Sequence, residues 1–224
     1  MGLPVPEGQG QREEYMAIDA GLRTLEREVE QRTTPLLGTI EALAFVIEAK
    51  DPYTRGHCDE VSWWAAKIAG QVGLTETEIQ DIKLAAIVHD IGKIKVPEEV
   101  LRKPTILTEQ EFEKVKSHAA WGSKILETLK EKGIARIVRH HHERYDGNGY
   151  PDRLQGEEIP LGARILAVAE AFHCMVRGSR YKNPCTVSEA LTELGRCSGT
   201  QLDPGVVAAL RDWVESRGDS PAFQ

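Results

Sequence analysis

The residues best suited to chemistry are histidines and acids gathered in a few short stretches. Residues 140–151 read HHHERYDGNGYP, three consecutive histidines running into an acid, a DGNG turn sequence and Tyr-Pro. Consecutive imidazoles at a helix end project towards different points, which suits two neighbouring metal ions; a surface histidine cluster is the plainer alternative. Asp146-Gly147 and Asn148-Gly149 predict a tight loop with positive φ after the helix. His89 and Asp90 follow Ile79, Ile82 and Ala86 on an apolar stripe, where an ionised Asp is costly unless paired or coordinated. A salt bridge to Lys93 alone would satisfy it. Yet His57, His118, His141 and His142 also lie on or beside inward stripes, so five of the seven histidines point into one core. Neutral imidazoles with carboxylates, and no thiolate at ligand spacing, suit iron, manganese, nickel or zinc rather than a soft cysteine site. Two adjacent ions sharing a carboxylate would activate a water and stabilise in-line displacement at phosphorus.

Helices must position these groups, because helical periodicity dominates and strand signals are nearly absent. Tyr15, Ile18, Leu22, Leu25 and Val29 alternate spacings of three and four, a short coiled-coil seam over 12–34. A helix packed on its own domain is the alternative there. Pro35 ends it, and Leu36–Lys50 reads as another apolar helix. Val61, Trp64, Ala65, Ile68 and Val72 form the next stripe, with His57 one turn before Val61. Thr75 and Thr108 open capping boxes for helices expected over Ile79–Lys93 and Glu109–Glu131. Ile134, Ile137 and Val138 form a stripe that His141 ends. Ile165–Val176 and Val187–Cys197 are expected to be helical, and Asp203-Pro204 to cap the last helix.

Length and composition bound the rest. The 224 residues, 41% hydrophobic, can bury a full core, and a net charge of −7 argues against a nucleic-acid or anionic-membrane binder. With no long apolar run and no signal-peptide pattern, a soluble, cytoplasmic protein is expected. The four cysteines show no paired spacing and are expected to stay reduced. Residues 1–11 are expected to be disordered and 216–224 to form a flexible tail.

In order along the chain, DPYTRGH (51–57), HDIGK (89–93), VPEEVLRKPTILTEQEFEKVKSH (96–118), HHERYDGNGYP (141–151), GEEIPLGARILAVAEAF (156–172) and TQLDP (200–204) resemble the HD-GYP family of HD phosphohydrolases. The resemblance implies an all-α helical bundle over 35–215, with the 12–34 helix as a stalk and a GYP loop. It implies two divalent metals, iron or manganese first and nickel or zinc next, held by His57, His89, Asp90, His118, His141, His142 and Glu170. Asp90 would bridge the ions, and Lys93 would act beside it on the substrate phosphate. Asp146, Gly149, Tyr150, Pro151, Tyr181 and Lys182 would contact substrate. His140 matches no ligand position and is expected on the helix surface.

Several positions depart from the family pattern. Glu170 stands where the family has Asp as its last ligand. Tyr53 stands where members with three metals carry Glu, so two metals are expected. The segment HCMVRGSRYK (173–182) is rewritten, leaving Arg177 or Arg180 to substitute for a basic phosphate contact. His173 is either a compensating ligand or a solvated or capping histidine. The function implied is hydrolysis of cyclic di-GMP, to the linear dinucleotide and on to GMP, by a metal-bridged hydroxide. A degenerate sensory or adaptor module with little turnover, and a hydrolase of another phosphoester, are the alternatives. The stalk implies a homodimer, and with nothing before Arg12 to act as a sensor, the expectation is either a separate signalling protein as the source of regulation or a chain that is a fragment.

Overall fold

The computed structural model describes residues 56–178 and 183–216, with Gly38 and Ala42 singly ahead of them. The stalk over 12–34, the expected helix Leu36–Lys50 apart from Gly38 and Ala42, Tyr53, Arg180, Tyr181 and Lys182 lie outside the described residues. Eight α-helices and two short 3₁₀ turns make up what is described, with no strand among them. They are α1 His57–Val72, α2 Glu76–Val88, α3 Glu98–Leu101, α4 Glu109–Thr128, α5 Lys132–His140, α6 Leu161–Arg177, α7 Val187–Cys197 and α8 Pro204–Glu215. The domain is therefore all-α. No described helix is long and apolar enough to cross a membrane.

Local chemistry explains the starts of these helices. The Thr75 and Thr108 hydroxyls each accept the backbone N–H three residues on, and Glu78 and Glu111 return the bond, so both capping boxes form. Thr186 does the same for α7. Asp203 accepts from Gly205 N at 2.7 Å and Val206 N at 3.1 Å, with Pro204 in the first turn of α8.

Three expected bounds move. The helix expected over Ile79–Lys93 stops at Val88, and a 3₁₀ turn, Ile91–Lys95, follows. The helix expected over Glu109–Glu131 stops at Thr128, where Lys130 takes a positive φ of 66°. The helix expected over Ile165–Val176 already begins at Leu161, with Pro160 as its N-cap.

α1 packs against α2, α6 and α8, while α4 packs against α5 and the 3₁₀ turn. The shared core includes Val61, Ile68, Ala86, Val138, Leu166 and Phe172, all at most 1% exposed. Trp64 meets Phe172 edge to face, with ring centroids 4.7 Å apart. Helices α1, α2, α5 and α6 thus put apolar residues into the core, and α4 adds the fully buried Ala119 and Leu126.

Candidate metal centre

Five helices bring the ligand-type residues together. His57 is the first residue of α1, and His89 and Asp90 sit at the break after α2. His118 lies on α4, His141 and His142 follow α5, and Glu170 lies on α6. The break at Asp90 matters for its aim. Asp90 has φ −92° and ψ 2°, outside helical values, and its carbonyl accepts Lys93 N–H at 2.8 Å to start the turn.

Gly92 allows this turn to lie against α4. A Cβ there would sit 1.9 Å from the His118 carbonyl oxygen and 2.6 Å from Gly122 N, so only glycine permits the approach. The contact brings Asp90 Oδ1 within 3.7 Å of His118 Nε2. The other oxygen, Oδ2, lies 3.4 Å from His89 Nε2 and 2.8 Å from Lys93 Nζ. Asp90 thus stands between two groups of ligand atoms. One is His57, His89 and Glu170, and the other is His118, His141 and His142; within each, the atoms lie within 4.8 Å of one another. Glu170 Oε1 is 4.0 Å from His89 Nε2, so the longer side chain at this position does reach the group.

The histidine tautomers follow from their other partners. Nδ1 of His89, His118 and His141 faces the carbonyl three residues earlier, Ala86, Val115 and Val138, at 2.7, 2.7 and 2.6 Å. A carbonyl only accepts, so each Nδ1 carries the proton and each Nε2 offers its lone pair to the centre. His118 Nε2 and His141 Nε2 face each other at 3.3 Å. Two lone pairs repel at that distance, yet two nitrogens about 2.0–2.1 Å from a shared ion stand about this far apart. His89 Nε2 is fully buried with no hydrogen-bond partner among the described residues. The donor set therefore fits divalent cations.

The electrostatics agree. Burial, reinforced by neighbouring imidazoles, holds His141 and His142 well below the ordinary histidine range, so both are neutral. Burial, with His89 adding to it, pushes His57 down to about 3. Burial also opposes charge on His89, but the Asp90 carboxylate outweighs it and raises its pKa well above normal. An ion arriving beside Asp90 would displace that proton. Burial tends to raise Asp90, yet Lys93 and then His89 hold it well below the usual carboxylate range. Glu170 is pushed up, first by burial and then by the charge of Asp90. Cys174 lines a cavity of about 220 Å³ with His141, His142 and Glu170, and burial pushes its thiol up to about 12. It is a neutral thiol here.

A cleft of about 1040 Å³ opens beside His142, walled by Lys116, Arg144, Asn148, Gly149, Tyr150, Pro151 and Arg153 among others. The Tyr150 ring lies against His142, with centroids 5.0 Å apart, and burial pushes its hydroxyl pKa up. Gly147 takes the positive φ expected of this loop, at 78°, but Gly149 does not. Gly149 is needed for a different reason: a Cβ would lie 2.2 Å from Arg144 N. Asp146 is not part of the cleft wall. Its carboxylate is taken by Arg144, at 3.1 and 2.7 Å, and by Asn148 N–H at 3.0 Å. Arg144, which lines both cavities, is the residue that sequence reasoning passed over. Its only signal was adjacency to the acid of HHE.

Two histidines differ from expectation. His140 is not on the surface: it is 8% exposed, and its Nε2 bonds Asp152 at 2.9 Å while its Nδ1 bonds the Arg136 carbonyl at 2.8 Å. Asp152 N–H in turn donates to Glu143 Oε1 at 2.7 Å. These bonds tie the far end of the GYP loop back to α5. His173 is neither solvated nor a cap. It is 6% exposed, between His57 and Glu60.

The chain belongs to the HD domain family, whose profile matches residues 41–206. It is 38% identical over 207 residues to a cyclic di-GMP phosphodiesterase of Thermotoga maritima, covering 89% of this chain and 56% of that protein. It is 39% identical over 207 residues to the cyclic di-GMP phosphodiesterase response regulator RpfG of Xanthomonas campestris pv. campestris, covering 91% of this chain and 54% of that protein. A 3′3′-cGAMP-specific phosphodiesterase 2 of Vibrio cholerae is 36% identical over 177 residues, covering 77% of this chain and 34% of that protein. The chain spans about half the length of the first two. In three dimensions it is similar to a cyclic GMP-AMP specific phosphodiesterase of Vibrio cholerae, with a TM-score of 0.58 and 20% identity, covering 77% of this chain and 48% of that one. An HDG"Y"P protein of Bdellovibrio bacteriovorus gives 0.57 and 20%, covering 70% and 50%. Both likenesses bear on the fold.

Proposed function

We propose that the chain is a metal-dependent phosphodiesterase that opens a cyclic dinucleotide, with cyclic di-GMP as its first substrate. The observation that carries this reading is Asp90, with one oxygen towards His89 and the other towards His118. His57, His89, Glu170 and Asp90 would hold one divalent cation, and His118, His141, His142 and Asp90 the other. Iron or manganese is the favoured metal. Such ions lower the pKa of a bound water and stabilise charge developing at phosphorus.

The chain's own residues supply binding and orientation. Lys93 Nζ, 2.8 Å from Asp90, keeps positive charge beside the carboxylate and within the range of a phosphate oxygen. Lys116, Arg144 and Arg153 give the cleft the cations that a dinucleotide with two phosphates requires. Tyr150 and Pro151 form its floor beside His142. Relatives named for cyclic di-GMP and for cyclic GMP-AMP both support a cyclic dinucleotide, and the relatives at 38% and 39% identity favour the first.

The test is metal counting after anaerobic loading with Fe(II) or Mn(II), followed by turnover of cyclic di-GMP and cyclic GMP-AMP. Two metals per chain and a linear dinucleotide product, both lost in Asp90→Ala, are expected. Tight nucleotide binding with no product under either metal would make the chain a binding module instead.

A further inference from the structure

His57 has a geometric problem that His89, His118 and His141 lack. His89, His118 and His141 each set their tautomer against a carbonyl of their own helix. His57 opens α1, preceded by Gly56 in a left-handed conformation at φ 71°, so no turn of that helix stands before it to offer a carbonyl. In place of a carbonyl, His57 Nδ1 meets the Nδ1 of His173, 3.0 Å away on α6.

The direction of this bond is set by what lies behind His173. Its Nε2 is 3.0 Å from Glu60 Oε2, and the Glu60 carboxylate also takes two bonds from Arg177, both 2.8 Å. A carboxylate paired with a guanidinium is ionised and only accepts, so His173 must carry its proton on Nε2. The single charge of Glu60 is already matched by the Arg177 guanidinium, so His173 takes the one-proton form and its Nδ1 is left as an acceptor. His57 must then donate from Nδ1. We propose that His173, braced by Glu60, is a positioning residue that fixes His57 as the Nδ1–H tautomer and so reserves its Nε2 for a metal ion.

This rests on the reading of His57 as a ligand in the proposed function. It assigns His173 a role other than ligation. Both its ring nitrogens are engaged, one by His57 and one by Glu60, so neither remains for the centre. It also accounts for Glu60, one turn after His57, which no motif singles out. A histidine at 173 reaches across to His57 while still passing the load to a carboxylate, in the manner of outer partners that orient ligating imidazoles.

The experiment uses the full chain as wild type, His173→Leu and His173→Gln. Competition against a chelator measures Mn(II) affinity, and long-range ¹H–¹⁵N correlation of the imidazoles in the metal-free chain reports the tautomer, with His57 assigned from His57→Gln. Wild type should show His57 protonated at Nδ1. His173→Leu should lose that tautomer and bind metal about 10–100-fold more weakly. His173→Gln, whose amide can accept from His57 and donate to Glu60, should recover most of the affinity. Equal affinity in wild type and His173→Leu, a Gln variant as weak as Leu, or a wild-type His57 protonated at Nε2 would each overturn the inference. A wild-type chain that takes up no metal would refute the ligand assignment instead, and the tautomer measurement, which needs no metal, would still decide the relay.

Discussion

Gly92→Ala should dismantle the centre while leaving the chain folded. The added Cβ would lie 1.9 Å from the His118 carbonyl oxygen, 2.6 Å from Gly122 N and 2.7 Å from His118 C. All three are backbone atoms, so no side-chain rotation relieves them. Ordinary contact begins near 3.4 Å, so the 3₁₀ turn and α4 must separate by about 1.5 Å. That separation acts directly on the 3.7 Å approach of Asp90 to His118, because the two sit on opposite sides of the seam. Overpacking of this kind costs about 1–3 kcal/mol. A domain with about 5–15 kcal/mol to lose survives it. A 1 Å misplacement of a reacting or ligating group costs about 100-fold in rate, so turnover should fall at least that far. Fewer than two metals per chain should remain, since Asp90 stands between the two groups of ligands. Circular dichroism, metal counting and cyclic di-GMP turnover on one preparation make the assay. Gly122→Ala is the milder comparison: its nearest neighbour is the Val138 Cγ1 side-chain atom at 3.0 Å, which needs to give by only a few tenths of an ångström. A Gly92→Ala protein with two metals and wild-type turnover would refute the claim that this close approach builds the site.

Two further outcomes follow from the loop after His142. Glu143→Leu should cost about 1–3 kcal/mol, because it leaves the Asp152 N–H without the acceptor it now has at 2.7 Å; a denaturant midpoint equal to wild type would contradict this. Asp146 is held down to about 2, chiefly by its bonds to Arg144. Since its folded pKa lies below its unfolded value, its contribution is fully present above the ordinary carboxylate range and is lost as pH falls through about 2. Arg144→Leu should move that loss to higher pH, towards the ordinary value. Hydrogen exchange of the Tyr145 and Asp146 amides, which bond the Gln201 and Thr200 carbonyls, measures it, and identical acid profiles in the two proteins would rule it out. Because Arg144 and Asp146 remain well solvated, the effect is a displaced acid limb and not a large change at neutral pH.

How far the sequence discloses this architecture depends on whether a feature is local. The capping boxes at Thr75 and Thr108, the span Val187–Cys197 and the Asp203-Pro204 cap are local, and all appear where the pattern puts them. The break after Val88 is hidden because a 3₁₀ turn still brings every third residue to one side, so Asp90 and Lys93 continue an apparent helical stripe. Positions of close approach are hidden as well. Nothing around Gly92 announces that α4 will press against it, since His118 and Gly122 come from a helix that begins at Glu109.

The histidines carry the same lesson into function. Spacing placed five imidazoles inward, because burial follows the helical period, but it did not place His140 or His173, which are also buried. It could not separate those that offer a lone pair to the centre from those that orient a neighbour, because that depends on what the other ring nitrogen meets. For His140 the partner is Asp152, and for His173 it is Glu60 on a helix that starts more than a hundred residues earlier (|i−j| 113). By position alone, His140 would be counted as surface and His173 as surface or ligand. The division of labour among seven histidines is thus written in their hydrogen bonds, and a substitution at 173 should be read first through the tautomer of His57 and only then through metal content.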